Sequence, residues 1–475
     1  MSVFSERLKN AIDVCGVSIS ILAERSGMSA SMLYKIQSGS RLPDSLETLE
    51  LLLDAMLCDL PRKTDLIQTY KIERIGNLRY ASFMALKNML AEMADPAPVS
   101  QEPRVRGPVQ IPDVIVGKEN VKAAIRFILE QETGRDGGEI SLMISPRFTY
   151  TFETLLQALS ACAPGFQGAH HLFCLKSTAT DKARHDNMEH IRVILPKMLR
   201  MNHYDPWYCY LPDPDNGTVA FPYFIYTSDI VLLISGDGES AVCLKDPEAH
   251  SLFAARFREM RASFQPVMHG DRAGLRDYLL LHHRITERSG GPLVPVTLAS
   301  EPCILPCLSP AAVAKYTPEG MLDDPEAAEA LREYYVNSGN NGCVCFFTVP
   351  GLEYLIEHGR LVEIQGPDIP VIEREDVLDA MEEFVRRAKA GNIIPYLFRH
   401  EFFLASSRLC LGLYGTKLVT VCEMPKRNAV FFDITEATLG YVLRDYVDNA
   451  LLLGDVIPPE DSIRIIEMVL HRYRN

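Results

Sequence analysis

The residues of this chain best suited to chemistry lie within forty positions of its start. The segment Gly16-Val-Ser-Ile-Ser-Ile-Leu-Ala-Glu-Arg-Ser-Gly-Met-Ser-Ala-Ser-Met-Leu-Tyr-Lys-Ile-Gln-Ser-Gly39 places Ser31, Tyr34 and Lys35 close together, with Arg41 two residues beyond it. Lys35 and Arg41 can neutralise phosphates, and Ser31 and Tyr34 can exchange hydrogen bonds with bases or sugars. Ala30 and Ser31 are not Arg, Asn or Gln, so those two positions offer no bidentate reading of a base edge. The elements that must carry these groups follow from local signals. A helix from Phe4 to Cys15 ends at Gly16; Ser18 can cap the next helix, which runs through Leu22, Ala23 and Arg25 to a break at Gly27. Ser29 can cap a third helix in which Leu33 and Ile36 point inward while Ala30, Ser31, Tyr34 and Lys35 lie on other faces. Asp44 and Glu47 have capping-box spacing for a fourth. Two short helices joined by a tight Gly turn let the second lie in a major groove while the first bridges the backbone.

This segment resembles the Cro/repressor (XRE) family of bacterial and phage DNA-binding domains, which have an all-α, lambda-repressor-like helix-turn-helix fold. Leu22, Ala23 and Gly27 match its first helix and turn; Ser29, Leu33, Ile36 and Gly39 match its recognition helix; Pro43 and Ser45-Leu-Glu-Thr-Leu49 match the start of its fourth helix. The resemblance covers residues 3 to 57. It implies that Ala30, Ser31, Tyr34 and Lys35 face base edges or the groove wall, and that Ser18, Ser29, Ser38 and Arg41 face phosphates of double-stranded DNA. The chain departs from the pattern at Ile19, where the family often has Gln, and at Ser26, where it has an apolar residue. The first departure weakens a phosphate clamp and the second alters helix packing. One such domain contacts one half-site, so useful affinity calls for a homodimer with two copies about 34 Å apart.

Charge narrows where nucleic acid could bind. The 475 residues carry 48 Lys+Arg against 62 Asp+Glu, a net charge of -14, but residues 1 to 110 are balanced and all the excess acid lies beyond them. An acidic body repels nucleic acid, so contact must be confined to one local face. Apolar runs such as Ile230 to Ile234 are strand-sized, far below a membrane span, and charged residues interrupt the first dozen positions, so neither a membrane nor a secretory signal is expected and the cytoplasm is the expected location. The twelve cysteines then read as reduced thiols rather than a disulfide framework.

The expected fold class is multidomain: residues 1–60 form the helix-turn-helix domain, 61–94 a connecting helix interrupted at Gly76, 95–113 a linker with five prolines, and 114–290 and 297–475 two mixed α/β lobes. The second lobe repeats much of the order of the first, with Tyr223 to Ser228 echoed by Phe402 to Ser407 and a junction near Ser289 to Pro295.

The lobes offer little catalytic chemistry. Gly117-Lys118 lacks the Gly-rich loop of a phosphate-binding motif, and no dinucleotide fingerprint is present. The two-lobed order resembles the phospholipase D-like fold, yet no histidine is followed at the second position by Lys, which that chemistry requires. Cys343-Val-Cys345, Cys303 with Cys307, and His282-His283 lack further ligands at metal spacing. The aromatic cluster around Trp207 reads as core. No enzyme activity, metal or cofactor is expected. The expectation is a sequence-specific DNA-binding transcriptional regulator whose lobes dimerise and respond to a small-molecule or protein effector; the alternatives are an enzyme fused to a DNA-binding module and an interaction scaffold.

Overall fold

The structure, a computed structural model, describes residues 2–94, 110–177, 179–198, 201, 203–212, 219–269, 276, 279–280, 283–284, 295–318, 320–340, 342–361, 370–399, 409–415, 417–422, 430–434 and 436–475. Residues 2–94 are helical: α1 (Val3–Cys15), α2 (Ile19–Ser26), α3 (Ala30–Gln37), α4 (Leu46–Ala55), α5 (Leu60–Ile75) and α6 (Asn77–Ala94). Helices as short as α2 and α3 do not persist alone in water, so tertiary packing must hold them. Leu22, Leu33 and Ile36 are buried with Phe4, Leu8, Leu49, Leu52, Leu53 and Tyr70 in one core. Leu33 and Ile36, 2% and 1% exposed, contribute about 1.5–3 kcal/mol each. The cap of α4 is Ser45, whose Oγ accepts from Thr48 N–H at 3.2 Å, and not Asp44. Asp44 instead takes up the Arg41 guanidinium, a charged partner that a cap would not offer it.

The body begins with β1 (Val114–Val116), α7 (Lys118–Thr133), β2 (Glu139–Met143), α8 (Thr149–Ser160), β3 (Gly168–Lys176), α9 (Asp181–Met198) and β4 (Tyr204–Leu211). It continues through β5 (Tyr223–Tyr226), β6 (Val231–Ile234), β7 (Ser240–Leu244), α10 (Pro247–Ser263) and β8 (Gln265–Pro266). These strands form one eight-stranded sheet in the order β1-β7-β6-β5-β2-β3-β4-β8. Its central β2, β3 and β4 are parallel and the other pairings antiparallel. A second sheet is built from β9 (Met268–His269), β10 (Val296–Leu298), β11 (Cys343–Phe347), β12 (Ile393–Phe398), β13 (Leu409–Tyr414), β14 (Lys417–Cys422), β15 (Val430–Ile434) and β16 (Val456–Ile457). With it run α11 (Pro310–Tyr316), α12 (Pro325–Asn340), α13 (Val349–His358), α14 (Arg374–Lys389), α15 (Ala437–Asn449) and α16 (Pro459–Arg474). Its order is β9-β15-β14-β13-β10-β11-β12-β16, with β10, β11 and β12 parallel and the remaining pairs antiparallel. Strand for strand, the second sheet has the topology of the first.

That topology shifts the boundaries read from sequence. The second sheet opens at Met268, because β9 pairs with β15 as β1 pairs with β7. The second lobe therefore starts before residue 297 and the first ends before 290; the junction expected at Ser289 to Pro295 lies, except for Pro295, outside the described residues, as do 95–109 of the linker. A two-residue edge strand has no periodicity of its own, and its place is fixed only by its partner. The second member of the echo expected between Tyr223–Ser228 and Phe402–Ser407 lies outside the described residues; by sheet position β5 corresponds to β13.

Parallel strands covered on both faces carry continuous apolar runs. In β11 the pleat sends Cys345 and Phe347 into one core and Phe346 into another. Cys343 and Cys345 share a face, their Sγ atoms 3.5 Å apart. Trp207 packs with Leu172, Phe224 and Phe257 beneath the Arg261 guanidinium, 4.7 Å from its ring. No helix among the described residues is long and apolar enough to cross a membrane.

Helix α6 joins the helical region to both lobes. Gly76, at φ 96°, separates it from α5, which stays in the N-terminal core through Leu66 and Tyr70. The buried face of α6, with Phe83, Leu86, Met89 and Leu90, packs with Met188, Ile191 and Leu195 of α9 and with Val442, Leu443 and Tyr446 of α15. Phe83 meets Tyr446 edge-on at 5.8 Å. Arg79 donates to both carboxylate oxygens of Asp445, at 2.8 Å for Nε, and Lys87 pairs with Asp455, which also accepts from Tyr446 Oη at 3.0 Å. The lobes also touch directly: Asn187 Nδ2 donates to Thr438 Oγ1 at 3.1 Å, and Tyr210 Oη to Glu436 Oε1 at 2.6 Å. Burial pushes the Glu436 carboxyl up.

Candidate nucleic-acid interface

Three residues, Gly27 to Ser29, separate α2 from α3. A turn this tight needs left-handed backbone, and Gly27 supplies it at φ 70° without the strain a side chain would add. Ser18 Oγ accepts from Ile21 N–H at 3.4 Å and Ser29 Oγ from Met32 N–H at 3.2 Å, so each serine caps its helix. At the far end of α3, Gly39 at φ 75° passes so near Ser5 that a Cβ there would lie 2.7 Å from its Oγ. Tyr70 Oη donates to Pro43 O at 3.1 Å and ties the chain after α3 to α5; burial pushes this phenol up.

Held in this way, α3 turns one face outward. Ser18, Ser29, Ala30, Ser31, Tyr34, Lys35, Ser38 and Arg41 are all exposed, Tyr34 by 59%. Ala30, Ser31, Tyr34, Lys35 and Ser38 line one shallow hollow together with Gln37 and Lys9. Ser18 lies apart from that hollow at the start of α2, and Ser29 just before α3, each with its oxygen engaged as a cap. Ser38 Oγ donates to Lys35 O at 3.1 Å. Sequence reasoning missed Lys9: it sits on α1, and only the packing of α1 on α3 through Leu8 and Leu33 brings it to the same hollow.

Several other cations of this region are already engaged. Arg7 pairs with Asp65, Arg62 with Asp59 at 3.1 Å and Lys63 with Asp54 at 2.8 Å. Arg41 Nη2 donates to both Asp44 carboxylate oxygens, at 2.9 and 2.6 Å. Lys9 and Lys35 have no carboxylate partner among the described residues. Where the chain departs from the family pattern, Ile19 packs half-buried on the core, and Ser26 Oγ donates to Leu22 O at 2.6 Å, satisfying within α2 a hydroxyl placed where an apolar side chain is usual.

The rest of the chain reaches this region from the side of α4. A Cβ on Gly454 would fall 2.2 Å from Leu46 Cδ2, and Arg399 approaches Glu47 at 4.0 Å. Among the described residues, those contacts leave the hollow on α3 uncovered.

No family model matches the chain, and no curated protein matches it. Among solved structures, one of TrmBL2, described as an archaeal chromatin protein that shows a novel mode of DNA binding, is similar over 43% of this chain and 70% of its own. The identity is 15% and the TM-score 0.22, a likeness that fixes neither the fold nor the function of this chain.

Proposed function

We propose that this protein is a sequence-specific DNA-binding regulator of transcription, without catalytic activity, that reads a major groove with α3 of a lambda-repressor-like helix-turn-helix domain. The observation that carries this reading is the outer face of α3, which no described residue covers and where Tyr34, Lys35 and Ser31 share a hollow with Lys9, a cation without a carboxylate partner among the described residues. In the groove, Ser31 and Tyr34 exchange hydrogen bonds with bases or sugars, and Lys9 and Lys35 neutralise phosphates. The capping hydroxyls of Ser18 and Ser29, which accept from their helices, keep their protons to donate to phosphate oxygens, and Ser38 does so once its hydroxyl turns away from Lys35 O. The protein acts as a homodimer on half-sites about one helical turn apart. An effector that favours one arrangement of the lobes changes DNA affinity through α6, which contacts both lobes.

The test is selection of bound sequences from random duplexes with the purified full-length chain. A two-fold-related motif is expected. Failure to enrich any sequence, together with binding that Tyr34→Ala leaves unchanged, overturns the assignment.

A further inference from the structure

The first lobe contains a cleft of about 890 Å³ at the carboxyl end of β2. There β2 has the parallel β3 on one side and the antiparallel β5 on the other, and in open sheets such a change of direction leaves a crevice beyond the strand ends. Among the described residues, Lys118, Lys122 and Arg147 line the cleft with Asp237 as the one acid, although the chain as a whole is acidic. Ser235 Oγ and Glu239 N–H donate to Asp237 Oδ1 at 2.6 and 2.9 Å, and these bonds hold its carboxyl below the usual range. Lys122 lies 5.3 Å over the Tyr150 ring and pairs with Glu119, whereas Lys118 has no ion pair among the described residues.

Helices α7 and α8 both start at this cleft, at Lys118 and Thr149, and neither has a side-chain cap. Their first N–H groups are thus left for an anion. An independent observation also points to a ligand. Thr151 lines the cleft while only 1% exposed, and its hydroxyl has no hydrogen-bond partner among the described residues. A hydroxyl so placed, at the cleft surface and without an acceptor among the described residues, can donate to an oxygen that a ligand brings. The facing wall is an apolar corner: Phe148 stands edge-on to Tyr223 at 5.3 Å, beside Pro222, and lies over Gly238, where a Cβ would come within 2.5 Å of Phe148 Cε1.

We propose that this cleft binds a phosphate monoester with a flat heterocyclic body, of mononucleotide size. The phosphate sits between the starts of α7 and α8, held by Lys118 and the Thr151 hydroxyl, and the heterocycle lies on Phe148 and Tyr223. This assignment concerns the first lobe alone and stands whether or not α3 meets DNA.

Isothermal titration of the full-length chain with AMP, GMP, CMP and UMP, with inorganic phosphate, and with the parent nucleosides tests it. At least one nucleoside monophosphate should bind with Kd below about 1 mM, inorganic phosphate about tenfold more weakly, and the nucleosides without measurable heat. Lys118→Ala, at an exposed position, should weaken binding about tenfold with an unchanged melting curve, and Thr151→Val, which removes the hydroxyl at near-constant volume, about fivefold. Absence of binding by every monophosphate overturns the proposal. So does a nucleoside that binds as well as its monophosphate, or a Lys118→Ala chain that melts normally and keeps the parent affinity.

Discussion

Asp44→Asn is the most direct probe of the proposed DNA contact, because Arg41 stands where a phosphate contact is expected but is held by Asp44. Their side chains are 46% and 59% exposed, so the pair contributes at most about 1 kcal/mol to folding. Ser45, not Asp44, caps α4, and the substitution should leave the helical domain intact. On DNA it does two things at once: it removes a negative charge beside α3 and frees one guanidinium per protomer. Each phosphate contact adds about -0.9 to the slope of log K against log salt, so a dimer on two half-sites should steepen by about 1.8. Between 50 and 200 mM salt that corresponds to about a twelvefold greater loss of affinity than the parent shows. Lys35→Ala should change the slope by the same amount in the opposite direction. Fluorescence anisotropy with the selected duplex, at four or more salt concentrations, measures both. If both variants reproduce the parent slope while binding the same duplex, the flank of α3 does not touch phosphate and the proposed docking is wrong.

Two further substitutions address the scaffold. Phe83→Ala, at a residue 1% exposed between α6 and α15, should cost about 3–5 kcal/mol in denaturant unfolding and loosen the helical region from the lobes; a cost below about 1 kcal/mol would mean that α6 is not held as described. His171 is buried in the first lobe, with Nδ1 at 2.8 Å from the Tyr204 hydroxyl and Nε2 at 2.9 Å from Ile144 O. Burial lowers its pKa from 6.5 to about 4, so the folded protein excludes a proton that the unfolded chain takes up. Its contribution is full above pH 6.5 and fades as pH falls toward about 4, by at most about 3 kcal/mol. Denaturation midpoints at pH 7 and pH 4.5 should therefore differ less in His171→Gln than in the parent, and an identical pH dependence would refute that role.

Legibility from sequence followed the range of the signals. Gly16, Gly27, Ser18 and Ser29 act on their own turns, so the boundaries of α1, α2 and α3 could be read within a residue or two. Apolar runs at 139–144, 171–175 and 343–348 read as strands in the sequence, and the structure has strands at 139–143, 168–176 and 343–347, because strands covered on both faces are apolar throughout. What could not be read is set by distant partners. Val114–Val116 and Met268–His269 are strands only because β7 and β15 lie beside them. The final helix, Pro459–Arg474, follows a strand of two residues and was missed with it. At the candidate interface, the face of α3 followed from helical spacing, but Lys9 and the engagement of Arg41 by Asp44 depend on how α1 and α4 pack. The cleft was missed for the same reason: Lys118 and Thr151 are 33 residues apart and meet only where α7 and α8 converge on β2.

A chain that carries one architecture twice can assign different tasks to the copies. In the second lobe the position equivalent to the end of β2 follows β10, where Ser300 donates to the buried carboxylate of Glu301, and Gly351 at the start of α13 lies so close that a Cβ would fall 1.8 Å from Ser300 O. That end is plugged by backbone and carries an acid where the first lobe keeps an open mouth rich in positive charge. Both copies hold the N-terminal helices, the first through α9 and the second through α15, each packed on α6. The rim of the open twin shares no residue with the core that holds α6, so it can change in sequence without loosening the attachment of the N-terminal helices.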